Sequence, residues 1–138
     1  MKELILVVED NLANRELLSD WLETKGFDVC TAGNLEQAFA LLRNHSPRAM
    51  LLDVQLGRED GLTLATWVRH HPNLRSIPVI AVTAQAMAAD HERAVRAGCN
   101  ACIPKPIDFN QLDEQLRLWL TVARVHKLRE QHCEMVQQ

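Results

Sequence analysis

Polar side chains that could bind a metal ion and a phosphoryl group stand where apolar runs of the sequence end. Glu9 and Asp10 follow the first run, Asp53 follows a later one, and Thr83 and Lys105 follow two more. Three carboxylates brought close together oppose one another's ionisation unless a cation neutralises them. Mg²⁺ binds oxygen ligands, commonly one or two carboxylates together with phosphate oxygens. A lysine ammonium suits a phosphoryl oxygen, so the five residues predict a charged site for Mg²⁺ and a phosphoryl group.

The five side chains differ in the task that each could perform. Asp53 stands alone at the end of its apolar run, on a short side chain, which suits a nucleophile that forms an acyl phosphate. Glu9 and Asp10 are adjacent and better suited to holding a metal ion. Thr83 can donate a hydrogen bond but carries no charge, which favours sensing a phosphoryl group over catalysis. Transfer of a phosphoryl group would then depend on how the reacting groups are positioned and on neutralisation of the phosphoryl charge.

The apolar runs are typical of buried strands that place these side chains at one edge of a sheet. They lack the strict alternation of a half-exposed strand, so both faces of the sheet should be covered. Segments of helical periodicity separate them, which predicts an α/β domain with a doubly wound, five-stranded parallel sheet of (βα)₅ form. The functional crevice of such sheets lies at the carboxyl ends of the strands. The predicted strands are Glu3–Val8, Phe27–Thr31, Ala49–Asp53, Val79–Thr83 and Ala101–Ile103.

Helix boundaries between the strands carry recognisable signals. Asn34 and Gln37 form a capping box, and Gly26 is placed to end the first helix. The last helix opens at Asp108, and its inward residues should be Leu112, Leu116, Trp119 and Ala123. The predicted helices are Leu12–Lys25, a segment from Asn34 to Arg43, Leu62–His70, Ala86–Ala97 and a segment from Asp108 onward.

Length and charge narrow the functional classes. A chain of 138 residues is long enough for one domain with a real core. A net charge of −3 disfavours a nucleic-acid binder, which usually has a basic face. The first apolar run is too short for a signal peptide or a membrane span, which predicts a cytoplasmic protein without a membrane segment.

The four cysteines do not predict a disulfide framework in a chain of this size. Cys99 and Cys102 match the C-x-x-C pattern, but a redox pair needs a helix amino terminus to favour its thiolate, and this pair leads into a strand. The sequence therefore favours a small buried residue at Cys99.

The ordered set of strand-end motifs resembles the receiver domain of two-component response regulators over about residues 3 to 122. We therefore expect a receiver domain over residues 1–122 and an extension of the last helix, or a tail, over residues 123–138. Each motif alone is weak, but all of them in order at strand ends are specific. The motifs are Val7-Val8-Glu9-Asp10-Asn11, Leu51-Leu52-Asp53 with Gly57 and Gly61, Val82-Thr83-Ala84, and Lys105-Pro106.

This resemblance implies a CheY-like fold with strand order 2-1-3-4-5 and a signalling role in place of an enzyme's, beyond self-catalysed phosphotransfer and autodephosphorylation. Asp53 would accept phosphate from a histidine kinase or a histidine phosphotransfer protein, switching contacts with a downstream protein. The resemblance also implies that Lys105 binds the phosphoryl group, that Thr83 moves toward it, and that the peptide before Pro106 is cis. Mg²⁺ would be surrounded by Glu9, Asp10, Asp53 and the backbone carbonyl of Gln55.

Some positions depart from the common receiver pattern. Cys102 stands where receivers usually carry Tyr or Phe, so signalling by rotation of an aromatic ring is not expected. Asn14, Gln55 and Gln85 look more like DivK-like single-domain regulators and the receivers of hybrid kinases.

Other functions stay open at this point. A haloacid-dehalogenase-like phosphatase would also use Asp53 as nucleophile, but such enzymes carry a second Asp two residues later, where this chain has Gln55. A flavodoxin-like FMN binder would need a Ser/Thr/Gly-rich phosphate loop after the first strand, and residues 11–14 are not one. A receiver excised from a hybrid histidine kinase is a further alternative, although Met1 and the tail favour a free-standing protein.

The last helix carries a second apolar flank, at Leu118, Val122 and Val125, which continues through Leu128. This flank predicts either a homodimer through the last helix or a docking site for a kinase or phosphotransfer protein. The alternative is a helix that frays into a disordered tail.

Overall fold

Five parallel strands form one sheet in the computed structural model, which describes residues 2–84 and 87–137 and the side chains up to Glu130. The sheet order is β2-β1-β3-β6-β7, and a separate two-stranded hairpin joins β4 to β5. The hairpin apart, this is the predicted order 2-1-3-4-5. The strands are β1 Leu4–Val8, β2 Asp28–Ala32, β3 Ala49–Asp53, β4 Gln55–Leu56, β5 Glu59–Asp60, β6 Val79–Thr83 and β7 Ala101–Pro104.

Five helices cover the two faces of the sheet. One core cluster joins β1, β3, β6 and β7 to α1 and α5, and the other joins the opposite face of the sheet to α2, α3 and α4. The predicted doubly wound α/β fold is therefore confirmed. The helices are α1 Leu12–Thr24, α2 Leu35–Asn44, α3 Leu62–His70, α4 Ala88–Arg96 and α5 Phe109–Gln137.

Helix caps explain why the elements begin and end where they do. The side chain of Asn34 accepts a hydrogen bond from the backbone N–H of Gln37 at 2.8 Å, and the side chain of Gln37 accepts one from the N–H of Gly33 at 2.7 Å. Gly26, at φ +91°, takes the left-handed conformation that ends α1. The predicted start of α4 at Ala86 lies outside the described residues, as does Gln85.

The orientation of α5 differs in one detail from the sequence prediction. In α5 the buried row is Leu112, Leu116 and Leu120, and Trp119 is only half-buried. Trp119 instead donates its indole N–H to the side-chain oxygen of Gln115 at 3.1 Å. A half-buried position at the domain surface suits this ring, because its N–H needs a hydrogen-bond acceptor.

The edge position of the last strand agrees with the predicted strand order. β7 lies at the edge of the sheet and pairs with β6 up to Thr83 and Pro104, a position where proline is tolerated. None of the helices within residues 2–84 and 87–137 is long and apolar enough to cross a membrane.

Candidate functional site

The parallel sheet brings the five predicted side chains to one edge. Asp53 and Thr83 are the last residues of β3 and β6, while Glu9 and Lys105 directly follow β1 and β7. Backbone hydrogen bonds hold these ends together, from Glu9 N–H to Ala32 and from Lys105 N–H to the carbonyl of Thr83 at 2.8 Å. Their predicted convergence is confirmed.

Three carboxylates form the acidic part of the site. Oxygen atoms of Glu9, Asp10 and Asp53 all lie within 4.8 Å of one another, and no other group of three His, Cys, Asp or Glu side chains among the described residues could hold a metal ion. Glu9 and Asp53 are only 2% and 5% exposed, whereas Asp10 is exposed. Water therefore screens the charges of Glu9 and Asp53 poorly.

Lys105 is the cation of this cluster. Its Nζ lies 3.0 Å from Oδ2 of Asp53 and 3.2 Å from Oε2 of Glu9. Burial by itself lowers the pKa of Lys105, but the hydrogen bonds and charges of Asp53 and Glu9 outweigh it and leave that pKa raised. One ammonium thus faces three carboxylates, and the site keeps an excess of negative charge.

Asp53 is hard to ionise in this setting. Burial raises its pKa to about 6, with Lys105 opposing the shift and Glu9 adding to it. The backbone N–H of Gln55 donates to Oδ1 of Asp53 at 3.1 Å. The Asp53 carboxylate is therefore fixed by two donors but incompletely neutralised.

The hairpin of β4 and β5 closes one side of the site and was not predicted from the sequence. The N–H of Gly57 donates to Oδ2 of Asp10 at 3.0 Å from a left-handed φ of +60°. Gly61 packs so closely that an added Cβ would lie 2.1 Å from the carbonyl oxygen of Asp53. The two glycines noted in the sequence motif thus have separate structural tasks, one at a turn and one at a close backbone contact.

The amino-terminal end of α1 and its N-cap support Glu9. Asn11 donates its backbone N–H to Oε1 of Glu9 at 3.3 Å, and the side chain of Asn14 approaches the same oxygen at 3.5 Å. Arg15 donates to the backbone carbonyl of Glu9 at 3.3 Å. The first turn of α1 therefore orients Glu9 toward the site.

The site opens to solvent through a cavity whose walls include all five predicted residues. Thr83 is 6% exposed and lies at this wall beside Ala84. On the rim, Arg93 of α4 pairs with Asp60 of the hairpin at 3.3 Å. The cavity thus has an acidic floor and a mouth bounded by α4 and the hairpin.

The structure answers two questions raised by the sequence, one about the Lys105–Pro106 peptide and one about the C-x-x-C cysteines. The Lys105–Pro106 peptide is cis, as the resemblance implied. Cys102 is half-buried, and burial followed by the charge of Asp90 raises its pKa. Burial, then Cys102, raises the pKa of Cys99 to about 12, with Arg69 opposing. Neither thiol has the lowered pKa of a redox pair.

Known proteins share this arrangement of sequence and fold. The model of the response regulator receiver domain family matches residues 5–117. The polar-differentiation response regulator DivK of Brucella anthropi is 39% identical over 120 residues, which cover 87% of this chain and 98% of that protein.

Solved structures of receiver domains are similar to this chain. The receiver domain of a sensor histidine kinase from Pseudomonas aeruginosa PAO1, with a magnesium ion coordinated in its active site cleft, is 30% identical at a TM-score of 0.79, covering 88% of this chain and 99% of that one. A CheY-like receiver domain protein from Methanospirillum hungatei, 24% identical, shows the same fold at a TM-score of 0.84 over 91% of this chain and 99% of that one. The chain belongs to the response regulator receiver family of two-component signal transduction and is similar to DivK.

Proposed function

We propose that Asp53 is the phosphoacceptor of this receiver domain and that Mg²⁺ assists the transfer. The observation that carries the proposal is the Asp53 carboxylate, which contacts Lys105 at 3.0 Å and lies within 4.8 Å of the oxygens of Glu9 and Asp10. A nucleophile, a phosphoryl-binding cation and metal ligands are thereby available at one cavity. The phosphoryl donor is the phosphohistidine of a histidine kinase or of a histidine phosphotransfer protein.

The donor set fits Mg²⁺. Carboxylate oxygens are its preferred protein ligands, and the site's excess of negative charge favours a divalent cation. Glu9, Asp10, Asp53 and the backbone carbonyl of Gln55 would hold the ion. When bound, Mg²⁺ would neutralise charge on the phosphoryl oxygens.

The transfer is an in-line displacement at phosphorus. An oxygen of the ionised Asp53 carboxylate forms the new P–O bond as the P–N bond of the phosphohistidine breaks. The bonding electron pair returns to the imidazole nitrogen, which takes up a proton from solvent, and Asp53 becomes an acyl phosphate. Lys105 then exchanges a carboxylate oxygen of Asp53 for a phosphoryl oxygen, a charge-assisted contact that is strong at a partly buried ammonium.

Thr83 is the residue proposed to detect the phosphoryl group. Its hydroxyl can donate a hydrogen bond to a phosphoryl oxygen, and its place at the end of β6 connects it to the start of α4. Because Cys102 carries no aromatic ring, the signal would leave through the backbone between β6 and α4. The output is a changed contact with a downstream protein and not with nucleic acid.

We propose a receiver domain over residues 1–122 and, over residues 123–138, an extension of the last helix or a tail. The chain works as a signalling module in the cytoplasm, with no enzymatic activity beyond self-catalysed phosphotransfer and autodephosphorylation.

Intact-mass measurement tests the acceptor directly. The protein is incubated with Mg²⁺ and acetyl phosphate, and we expect one phosphate adduct that hydroxylamine removes, as it does an acyl phosphate. Asp53→Ala should give no adduct, and omission of Mg²⁺ with EDTA should reduce its formation severely. Asp60→Asn is the matched control, because it removes an exposed carboxylate on the rim of the same cavity. An adduct that survives Asp53→Ala would overturn the assignment.

A turnover assay separates the receiver from the phosphatase alternative. A receiver releases phosphate only from its own Asp53 and does not turn over a phosphate monoester. Many equivalents of p-nitrophenol released per protein from p-nitrophenyl phosphate, lost in Asp53→Ala, would instead favour a haloacid-dehalogenase-like phosphatase.

A further inference from the structure

The last helix is longer than the domain that supports it. α5 extends from Phe109 to Gln137, a span of 29 residues, yet the last buried residue of its inward row is Leu120. Among the described contacts of residues 121–130 with the rest of the domain, the ion pair of Arg124 with Glu3 is the one salt bridge. A helical segment with so little packing is marginally stable by itself in water. The extension therefore gains stability from any further surface that covers it.

An apolar stripe runs along the outward side of α5. We call it the outer stripe, and all of its members are exposed: Leu118 49%, Val122 45%, Val125 45% and Leu128 63%. The spacing of four, three and three residues keeps them on one side of a helix. This side is opposite the buried row of Leu112, Leu116 and Leu120. The outer stripe is thus accessible to another macromolecule.

Two unpaired charges of opposite sign bracket the outer stripe. Glu114 lies four residues before Leu118, and Arg129 lies four residues after Val125, which places both on the stripe's side of the helix. Both are exposed, and neither forms an ion pair among the described side chains. Asp113 and Arg117, on the same helix, are by contrast paired with each other.

We propose that the outer stripe binds a second copy of this chain, with the two α5 helices antiparallel. A two-fold axis between Thr121 and Val122 places Leu118 opposite the partner's Val125 and Glu114 opposite the partner's Arg129. The same register places Leu128 beside the partner's Gln115. An isologous contact of this kind is self-complementary by symmetry.

Charge selects the antiparallel arrangement. Parallel helices in register would place Glu114 beside the partner's Glu114 and Arg129 beside the partner's Arg129, and like charges destabilise such contacts. Antiparallel pairing also lays the poorly supported extension of each copy along the supported half of the other. One register thereby buries the stripe, pairs the free charges and stabilises the extension.

Charge reversal tests the pairing in the full-length protein. Sedimentation equilibrium should detect a monomer–dimer equilibrium, and Glu114→Arg or Arg129→Glu should each weaken dimerisation by about tenfold, since two attractive pairs become repulsive. The double variant should restore it, because the pairs are then re-formed with signs exchanged. Glu16→Arg is the matched control, because it makes the same change of charge at an exposed position of α1, away from the outer stripe. Circular dichroism and thermal melts establish that every variant is folded.

The outcomes are distinct. A protein that stays monomeric at every concentration overturns the proposal and leaves the stripe to a different partner, such as a kinase. A dimer that neither reversal weakens, or that the double variant fails to restore, also overturns it. Asp53→Ala should dimerise like the unchanged protein, so failure of the phosphoacceptor assignment would leave this result unaffected.

Disulfide cross-linking tests the direction of the helices. In a Cys133→Ser background, a mixture of Leu118→Cys and Val125→Cys copies should form a covalent heterodimer on mild oxidation. Leu118→Cys alone should cross-link little, because the antiparallel register separates its two copies. Efficient cross-linking of Leu118→Cys alone with none in the mixture would indicate parallel helices and overturn the proposal.

Discussion

A partly buried cation lies at each end of the strands: at the carboxyl edge, where the parallel strands end, and at the amino edge, where they begin. The two cations differ in the groups that surround them. At the amino edge Arg69 donates to the carbonyls of Gly98, Arg75 and Ile77 at 2.6–2.8 Å and to the side-chain oxygen of Asn100 at 2.7 Å. None of these acceptors is charged. The guanidinium ties α3 to the loops that lead into β6 and β7, and its hydrogen-bonding capacity is largely used.

At the carboxyl edge the ammonium of Lys105 contacts the carboxylates of Asp53 and Glu9, and a third carboxylate lies within the same cluster. Its ammonium cannot balance Glu9, Asp10 and Asp53 together, so charge is left over at a cavity open to solvent. A cation with neutral acceptors fixes the backbone, whereas an unbalanced charge cluster responds to an added ion or phosphoryl group. We therefore expect changes at the amino edge to alter stability and changes at the carboxyl edge to alter ligand response.

Arg69→Met should cause the largest loss of stability. The substitution keeps an apolar stem but leaves four oxygen acceptors of a partly buried network without their donor, which costs about 3 kcal/mol in the free energy of unfolding. Urea denaturation measures this loss. Arg75→Met is the control, because its side chain is exposed and only its backbone carbonyl contacts Arg69. A loss as small as that of the control would show that Arg69 does not support the amino edge.

Gly61→Ala, at the carboxyl edge, should cause the second-largest loss of stability. Its Cβ would meet the carbonyl oxygen of Asp53 at 2.1 Å and that of Val54 at 3.1 Å, so the backbone must shift, at a cost of about 2 kcal/mol. Because Asp53 itself would move, uptake of phosphate from acetyl phosphate should also slow.

Gly57→Ala provides the comparison for Gly61. Its Cβ would meet only Oδ2 of Asp10, at 4.0 Å, but φ is +60°, so we expect a strain of about 1 kcal/mol. Chemical denaturation of both variants, alongside their phosphorylation rates, separates a displaced Asp53 from a strained turn. Equal rates in the two variants would contradict the role assigned to Gly61.

The sequence predicted most of the carboxyl edge and little of the amino edge, for a physical reason. Asp53 and Lys105 follow apolar runs, and parallel strands must deliver them to the same edge, so local pattern was enough. The acceptors of Arg69 are mainly backbone carbonyls of distant segments, and no residue type marks a carbonyl as a partner. Arg69 therefore resembled any charged residue at the end of a helix.

Two features were missed or wrongly predicted from the sequence because they too depend on contacts that local pattern does not show. The hairpin of β4 and β5 has strands of only two residues, too short for any periodicity. Trp119 was chosen for the inward row of α5 in place of Leu120 because the two lie 100° apart on the helix and both are apolar. Only packing against the sheet decides which of them is buried.

Asp53→Asn should increase stability at neutral pH by about 1 kcal/mol, the opposite sign to Arg69→Met. The pKa of Asp53 is raised by burial, Lys105 opposing, from 3.8 to about 6, so its ionisation destabilises the folded state as pH rises across that range. The gain from Asp53→Asn should therefore be largest above pH 6 and vanish below about pH 4. Thermal melts from pH 4 to 8 measure it, with the exposed Asp20→Asn as control. A gain that does not change with pH would contradict a destabilising Asp53 charge.

Mg²⁺ should produce the smallest of these effects and the sharpest contrast between the two edges. At a threefold excess over its dissociation constant it should stabilise the protein by about 0.8 kcal/mol at pH 7.5. Most of this gain should disappear by pH 5, because a proton on Asp53, whose pKa is about 6, competes with the ion. Calorimetric melts of the unchanged protein, Asp53→Asn and Arg69→Met measure the shift in Tm.

Arg69→Met should retain the Mg²⁺ response although it melts at a lower temperature, and Asp53→Asn should lose most of the response although it is more stable. A response lost in Arg69→Met, or kept undiminished at pH 5, would mean that the ion does not bind at the acidic cluster. Stability and ligand response would then not separate between the two edges. If they do separate, the hydrogen bonds of Arg69 to neutral acceptors position the strands. The strands so positioned then hold the unbalanced charge cluster around Lys105 together.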